Sequence, residues 1–393
     1  MADTAKRPPF LLLVGSGTLC TIVLVVFARL AYGLVLPAMR DSLGLSNTDM
    51  ATLGTITALG YLSLVMVAGV FAARFGARRS VLLGLLIACA GFAGLSQASD
   101  YRMLVPWMVL LGFGTAFGYT PLISLLASWY PNRRGTVIGL ANAGVGAGTL
   151  VSGHLVPWLI SADAQDGWRL VWEVFAGFGL LVVLAVFAFL HDPPRQYAPA
   201  DGAPGHQVLR IYRQPRVVMV GLVYGVVGMT YIAQAVFMYS FALDAGISEL
   251  RAGQMVSTLG LVSIFSGPAW GSLADRIGHG NTLTLCMALA LLATLLPVIA
   301  PESSWAFALH YPLLGLCIGG LFTSTLAAAS SSVPAWQGAV AVSFVTLFFA
   351  SGQLVGPYAA GLLIEWQGFR TAFAASCLMM VLGLVFCWRL RRT

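Results

Sequence analysis

Charge is what this sequence has least of: only 9% of its 393 residues are charged, against 59% that are hydrophobic. A soluble globule of that composition would lack a polar coat, so a water-soluble fold is excluded and lipid is the solvent. Catalytic signatures are missing too. There is no P-loop, HExxH or nucleophile elbow, and no polar stretch long enough to fold as a catalytic domain. Neither an enzyme nor a cofactor is expected. The six cysteines, Cys20, Cys89, Cys286, Cys317, Cys377 and Cys387, sit inside apolar runs without CxxC spacing. That pattern reads as small buried hydrophobes, not as disulfides or a metal site. Acids are absent from the middle of every apolar run; Asp49, Glu173, Asp244 and Glu365 lie near run ends. A pump exchanging cationic drugs for protons would want a buried acid, and none is available.

Present instead are apolar runs of the length that crosses a bilayer core as a helix, roughly 20 residues. They fall at 11–37, 50–72, 80–98, 103–128, 135–160, 168–190, 216–243, 252–274, 281–300, 304–331, 337–364 and 369–390. Hydrocarbon offers the backbone no partner, and the alternation of a membrane barrel is absent, so these are twelve transmembrane helices of an all-α membrane protein. The first run follows Lys6 and Arg7, but it is too long for a signal-peptide core and no small-x-small site closes it. Cations gather in one alternate set of loops and acids in the other, which predicts both termini cytoplasmic. The net charge of +7 therefore reports topology, not nucleic-acid binding. Basic pairs such as Arg78-Arg79 and Arg133-Arg134 lie at helix ends, where anionic headgroups suit them. A Pro-rich polar stretch, 191–215, reads as a cytoplasmic linker between a bundle at 1–190 and another at 216–393.

The two bundles are copies. A shift of 202 takes Gly44-Leu45-Ser46 to Gly246-Ile247-Ser248, Gly69 to Gly271, and Arg74-Phe75-Gly76 to Arg276-Ile277-Gly278. A shift of 201 takes Gly167-Trp168-Arg169 to Gly368-Phe369-Arg370. Chance pairing is expected among 44 glycines, but not several motifs at one offset. Six helices per copy keep both copies in one orientation, an arrangement that places a cavity near the midplane.

With these repeats the chain resembles the major facilitator superfamily over essentially its whole length. The family's loop signature between helices two and three, G-x-x-x-D-R-x-G-R-R, is matched by Gly69, Arg74, Gly76, Arg78 and Arg79, with Ala73 where the acid belongs. The second copy keeps Asp275 and Arg276, then departs at His279-Gly280. The resemblance implies the major facilitator fold and a secondary transporter in a bacterial cytoplasmic membrane, with Arg74, Arg78, Arg79, Asp275 and Arg276 forming a cytoplasmic gate. A carboxylate at a helix N-terminus is worth about 0.3–1 kcal/mol, little enough to be exchanged between two states.

Arg29 lies inside the first span. A central arginine costs about 2.5–3.5 kcal/mol on insertion scales, so it should face a cavity or partner, and its planar guanidinium suits carboxylate or phosphate. Snorkelling to the headgroups, or bonding to backbone carbonyls, is the alternative. Arg29-x7-Pro37 is similar to the first helix of organophosphate:phosphate antiporters, where such an arginine binds phosphate. At the repeat-equivalent position stands Tyr231, so one cation suggests one anionic group. Companions are Tyr32, three residues on, Tyr231 and Gln234 on one face of the seventh helix and Gln353 in the eleventh, with Tyr61, Tyr119, Asn142 and His310 as further polar positions within spans, each also readable as a helix-packing polar group. His154 and His310 are the titratable candidates for proton coupling. The expectation is a monomeric transporter of a small organic anion, a monocarboxylate or phosphorylated metabolite, held in the bilayer without metal or nucleic acid. A broad-specificity efflux pump and a transporter-like sensor are the alternatives.

Overall fold

The computed structural model describes residues 9–129, 134–163, 166–192, 212–333 and 338–391. Most of the linker and residues 130–133 of the basic loop therefore lie outside the described residues. Every regular element among the described residues is helical, as hydrocarbon requires of backbone that has no water to bond.

Helix α1 (Phe10–Thr21) runs through a π-helical segment (Ile22–Leu30) into α2 (Tyr32–Leu43), making one long span. Then come α3 (Asn47–Phe75), α4 (Ala77–Gln97), α5 (Tyr101–Trp129), α6 (Arg134–Ala162) and α7 (Gly167–Phe189). The second half has α8 (Pro215–Asp244), α9 (Glu249–Ile277), α10 (His279–Ile299), α11 (Ser304–Ser331) and α12 (Gly338–Leu390). Helix α12 breaks at Gly368, where φ is 80° and ψ 172°, and so supplies two spans. Counted this way, the described residues form twelve spans. Helices α3 and α9, which end in the loop signatures, are not among the stretches apolar enough to cross a membrane on composition alone.

The chain divides into two compact units, one of residues 1–45 and 56–198, the other of 46–55 and 199–393. Their internal architecture repeats. The bounds of α3 and α9 differ by 202 at both ends, as do those of α4 and α10. The turns repeat as well: Gly44 and Gly246 have φ of 64° and 80°, Gly76 and Gly278 have 101° and 85°. An L side chain is strained at such angles, which is why both copies keep glycine there. Arg169, in the first turn of α7, donates to the carbonyls of Ser96 and Ala98 at 2.9 and 2.6 Å, closing the end of α4. Arg370, its repeat partner, donates to the Val298 carbonyl at 3.0 Å, closing α10. The motif Gly-aromatic-Arg thus caps an orphaned helix end in each unit, as its chemistry allows.

Lipid tails are as apolar as leucine, so packing, not the hydrophobic effect, selects the helix contacts. A Cβ at Gly84 would collide with the backbone of Gly114 and Gly118, and one at Gly352 with the Gly225 carbonyl. These small residues let α4 meet α5 and α12 meet α8. Aromatic stacks fill the first unit, with Phe27 on Phe175 at 3.9 Å, and the second, with Phe241 between Phe307, Phe369 and Phe373. All six cysteines are buried and free, as their placement in apolar runs predicted.

Candidate functional site

The π-helical segment that carries Arg29 is made by its neighbours. Ala31 donates to the Val26 carbonyl at 2.8 Å, a bond spanning five residues where an α-helix spans four. Three glycines bring other helices hard against this stretch: Gly118 of α5 meets Leu24, Gly144 of α6 meets Thr18, and Gly148 of α6 meets Val26. The Thr115 hydroxyl lies 2.8 Å from the Leu24 carbonyl, offering a partner to a backbone group displaced from the regular ladder. Widened turns of this kind concentrate at functional sites.

Arg29 is half-buried, its guanidinium carbon 5.3 Å from the centroid of the Tyr61 ring. A cation over an aromatic face is stabilised by about 0.5–2 kcal/mol, more as water is excluded. Tyr119 lies within electrostatic range of both Arg29 and Tyr61. Its hydroxyl donates to Asn142 Oδ1 at 2.8 Å, joining α5 to α6. Tyr61 and Thr120 hydroxyls approach to 3.4 Å, joining α3 to α5. Arg29, Tyr61, Tyr119 and Asn142 therefore form one polar wall within the first unit. Asn142 and Tyr61 are half-buried and Thr120 is exposed, so the wall is not sealed in the bundle.

Tyr32 is placed differently. It is 2% exposed, and its electrostatic neighbour is Tyr101 at the start of α5. Its three-residue spacing from Arg29 means a shared face only in an α-helix; the wider π turn separates the two directions.

The remaining candidates belong to the second unit. Tyr231 packs edge-on against Phe322 at 5.6 Å. Gln234 is buried, donating to the Thr230 carbonyl at 3.2 Å and accepting from Thr294 at 3.1 Å. His310 is fully buried, with Nδ1 2.8 Å from the Ala293 carbonyl. Since a carbonyl only accepts, Nδ1 carries the proton. Gln353 is buried on α12. Of these, Gln234 and His310 tie neighbouring helices together. His154, on α6, is exposed, 3.4 Å from the Leu150 carbonyl.

At the loop signature Arg74 is exposed and its guanidinium carbon lies 5.4 Å from the Phe75 ring; Arg79 and Arg276 are exposed. The Asp275 side chain lies outside the described residues. Arg78 donates a guanidinium N–H to the Phe187 carbonyl and stands 5.1 Å from the Phe187 ring. Sequence inspection missed Asp192. Its carboxylate accepts the backbone N–H of Arg78 at 2.8 Å, in the first turn of α4. Beside it, Trp129 donates to the His191 carbonyl at 2.6 Å. An acid therefore does meet this loop, but it arrives from beyond α7, not from position 73. Its partner is an orphaned N–H at a positive helix end.

A family model for the Major Facilitator Superfamily matches residues 18–296 and 220–393. Monocarboxylate transporter 3 of Rattus norvegicus is 28% identical over 88% of this chain and 73% of its own. The probable nitrate/nitrite antiporter NarK1 of Thermus thermophilus is 25% identical over 74% and 67%. The multi-drug resistance efflux pump PmrA of Streptococcus pneumoniae is 22% identical over 89% of each. Among solved structures, a bacterial homolog of the human lysosomal transporter Spinster, inward-facing and unoccupied, superposes with a TM-score of 0.79 at 18% identity, covering 98% of this chain and 96% of that one. The nucleoside transporter NupG gives 0.79 at 12% identity, covering 96% and 99%. Twelve spans in two repeated six-helix units, matched by family model and by fold, place this integral membrane protein in the Major Facilitator Superfamily.

Proposed function

We propose that this protein is a secondary transporter moving a small organic anion, a monocarboxylate or phosphorylated metabolite, across a bacterial cytoplasmic membrane by alternating access. The observation that carries this reading is Arg29: a cation inside a span, on a π-helical turn, held over Tyr61 beside Tyr119. A guanidinium so placed offers paired N–H donors to a carboxylate or phosphate, and planar pairing fixes the anion's orientation as well as its charge. Tyr119 and Asn142 complete the binding wall. Two relatives named for anions, monocarboxylate and nitrate/nitrite, support the class. The efflux-pump reading has a relative in its favour, but a guanidinium inside a span favours an anion over a cationic cargo.

On this reading the protein works as a monomer with both termini in the cytoplasm. Arg74, Arg78, Arg79, Asp275 and Arg276 form the inner gate, its helix-end contacts weak enough to exchange between states.

Counterflow of labelled pyruvate and labelled glycerol 3-phosphate in proteoliposomes tests the clamp. Wild-type protein exchanges at least one probe. Arg29→Ala lowers that exchange by about 100-fold, the cost of leaving a charge without its partner, and Arg29→Lys restores part of it. Full exchange by Arg29→Ala would sink the clamp.

A further inference from the structure

The wall around Arg29 counts charge. Arg29 is the one Lys or Arg deep within the twelve apolar runs, Arg169, Arg216, Arg370 and Arg389 standing within two residues of a run end, and the groups assembled with it, Tyr61, Tyr119, Asn142 and Thr120, are neutral. Tyr119 donates to Asn142 Oδ1 at 2.8 Å, so that oxygen is occupied and the amide is held in one orientation. The side chain's remaining polar atom is Nδ2, which carries two N–H donors and no acceptor. Asn142 is half-buried, as Arg29 and Tyr61 are. A monovalent oxyanion brought to this wall meets one full positive charge and neutral donors for its other lone pairs. A dianion brings a second charge for which the spans hold no partner, and an unpaired charge in low dielectric is heavily penalised.

We propose that the site selects monovalent oxyanions over divalent ones, with Asn142, oriented by Tyr119, as the neutral specificity-determining donor. This rests on the reading of Arg29 as the anion clamp. It narrows that reading to carboxylate monoanions and to phosphate esters only in their singly charged form. A carboxylate in place of the Asn142 amide would set a negative charge beside the anion. An ammonium there would supply the missing second cation.

The test is counterflow in proteoliposomes with labelled pyruvate, a monoanion throughout, and labelled glycerol 3-phosphate, whose second ionisation falls near pH 6 like that of other phosphate esters. At pH 7.5 pyruvate exchange should exceed glycerol 3-phosphate exchange by about 30-fold at equal concentration, since only about 3% of the ester is then singly charged. At pH 5.5 the gap should narrow at least about tenfold as the ester loses its second charge. Asn142→Lys should raise glycerol 3-phosphate exchange relative to pyruvate, and Asn142→Asp should abolish both. The wild-type pH series needs no variant to fold. Glycerol 3-phosphate exchanged as fast as pyruvate at pH 7.5 overturns the charge selection and leaves the clamp standing. Exchange of neither probe by wild-type protein overturns the anion reading itself, and the charge selection with it. A ratio unmoved in a well-folded Asn142→Lys variant overturns the role of Asn142.

Discussion

The two units repeat a backbone and diverge in what their interiors hold. In the first, Arg29 sits over Tyr61, and hydroxyl and amide groups from α3, α5 and α6 pair with one another at half-buried positions. In the second, the position equivalent to Arg29 is Tyr231, edge-on to Phe322 in a cluster with Phe349 and Tyr224. The position equivalent to Tyr32 is Gln234, buried and satisfied by Thr230 and Thr294. On the proposed reading the duplicated scaffold carries ion-handling chemistry in one copy and packing in the other. An arginine within a span costs about 2.5–3.5 kcal/mol, which favours keeping it only where it is used.

That contrast breaks if both positions respond alike. Arg29→Ala should cost about 100-fold in exchange and leave thermal unfolding within about 1 kcal/mol of wild type, since the group removed is only half-buried. Gln234→Ala should do the reverse. It removes a buried amide and opens a cavity, destabilising by about 2–3 kcal/mol while exchange per folded protein changes less than threefold. Loss of exchange in both variants at matched stability would show that the second unit's buried pairs also handle substrate.

The repeated helix-end caps sharpen the comparison at smaller scale. Arg169 meets two carbonyls, pairs with Asp166 at 2.6 Å and stands 4.2 Å from the Trp168 ring, whereas Arg370 donates to the Val298 carbonyl. Charge-assisted bonds contribute about 1.5–3 kcal/mol when buried and less where water reaches them. Arg169→Ala should therefore destabilise by about 2 kcal/mol and Arg370→Ala by about 1, read from unfolding in nanodiscs. Equal losses would mean that the extra Arg169 contacts contribute nothing.

Much of the fold was legible because it is written locally. Apolar runs mark the spans, and the Gly44/Gly246 and Gly76/Gly278 pairs mark turns that need positive φ. The repeat pairs Arg169 with Arg370, although the helix each one caps becomes visible only when α7 packs on α4 and α12 on α10. The π turn was not legible. Residues 22–30 read as ordinary apolar helix, and the residues packed on the turn, Gly118, Gly144, Gly148 and Thr115, are about 90 to 125 positions away. Asp192 was hidden for the same reason: its partner, the Arg78 amide, is 114 residues distant. The spacing from Arg29 to Tyr32 implies a shared face only in an α-helix, because side-chain direction depends on which helix type the chain adopts. Tyr61, Tyr119 and Asn142 were legible as polar residues inside spans, but their assembly around Arg29 was not.

The smallest difference between the units lies at the paired turns. Gly76 and Gly278 share positive φ, so alanine at either should cost about 1–2 kcal/mol of backbone strain. Only at Gly76 does a new Cβ also meet a neighbour, the Asp192 carboxylate 2.5 Å away; at Gly278 nothing lies within 4 Å. The carboxylate is an exposed side-chain end that can shift, so its contribution is the helix-end contact with the Arg78 amide, about 0.3–1 kcal/mol. Gly76→Ala should therefore be worse than Gly278→Ala by about that amount in thermal unfolding. The excess should disappear in an Asp192→Ala background, where there is no carboxylate to displace. An excess that persists would place the strain of Gly76 in the backbone alone and leave Asp192 a spectator at the start of α4.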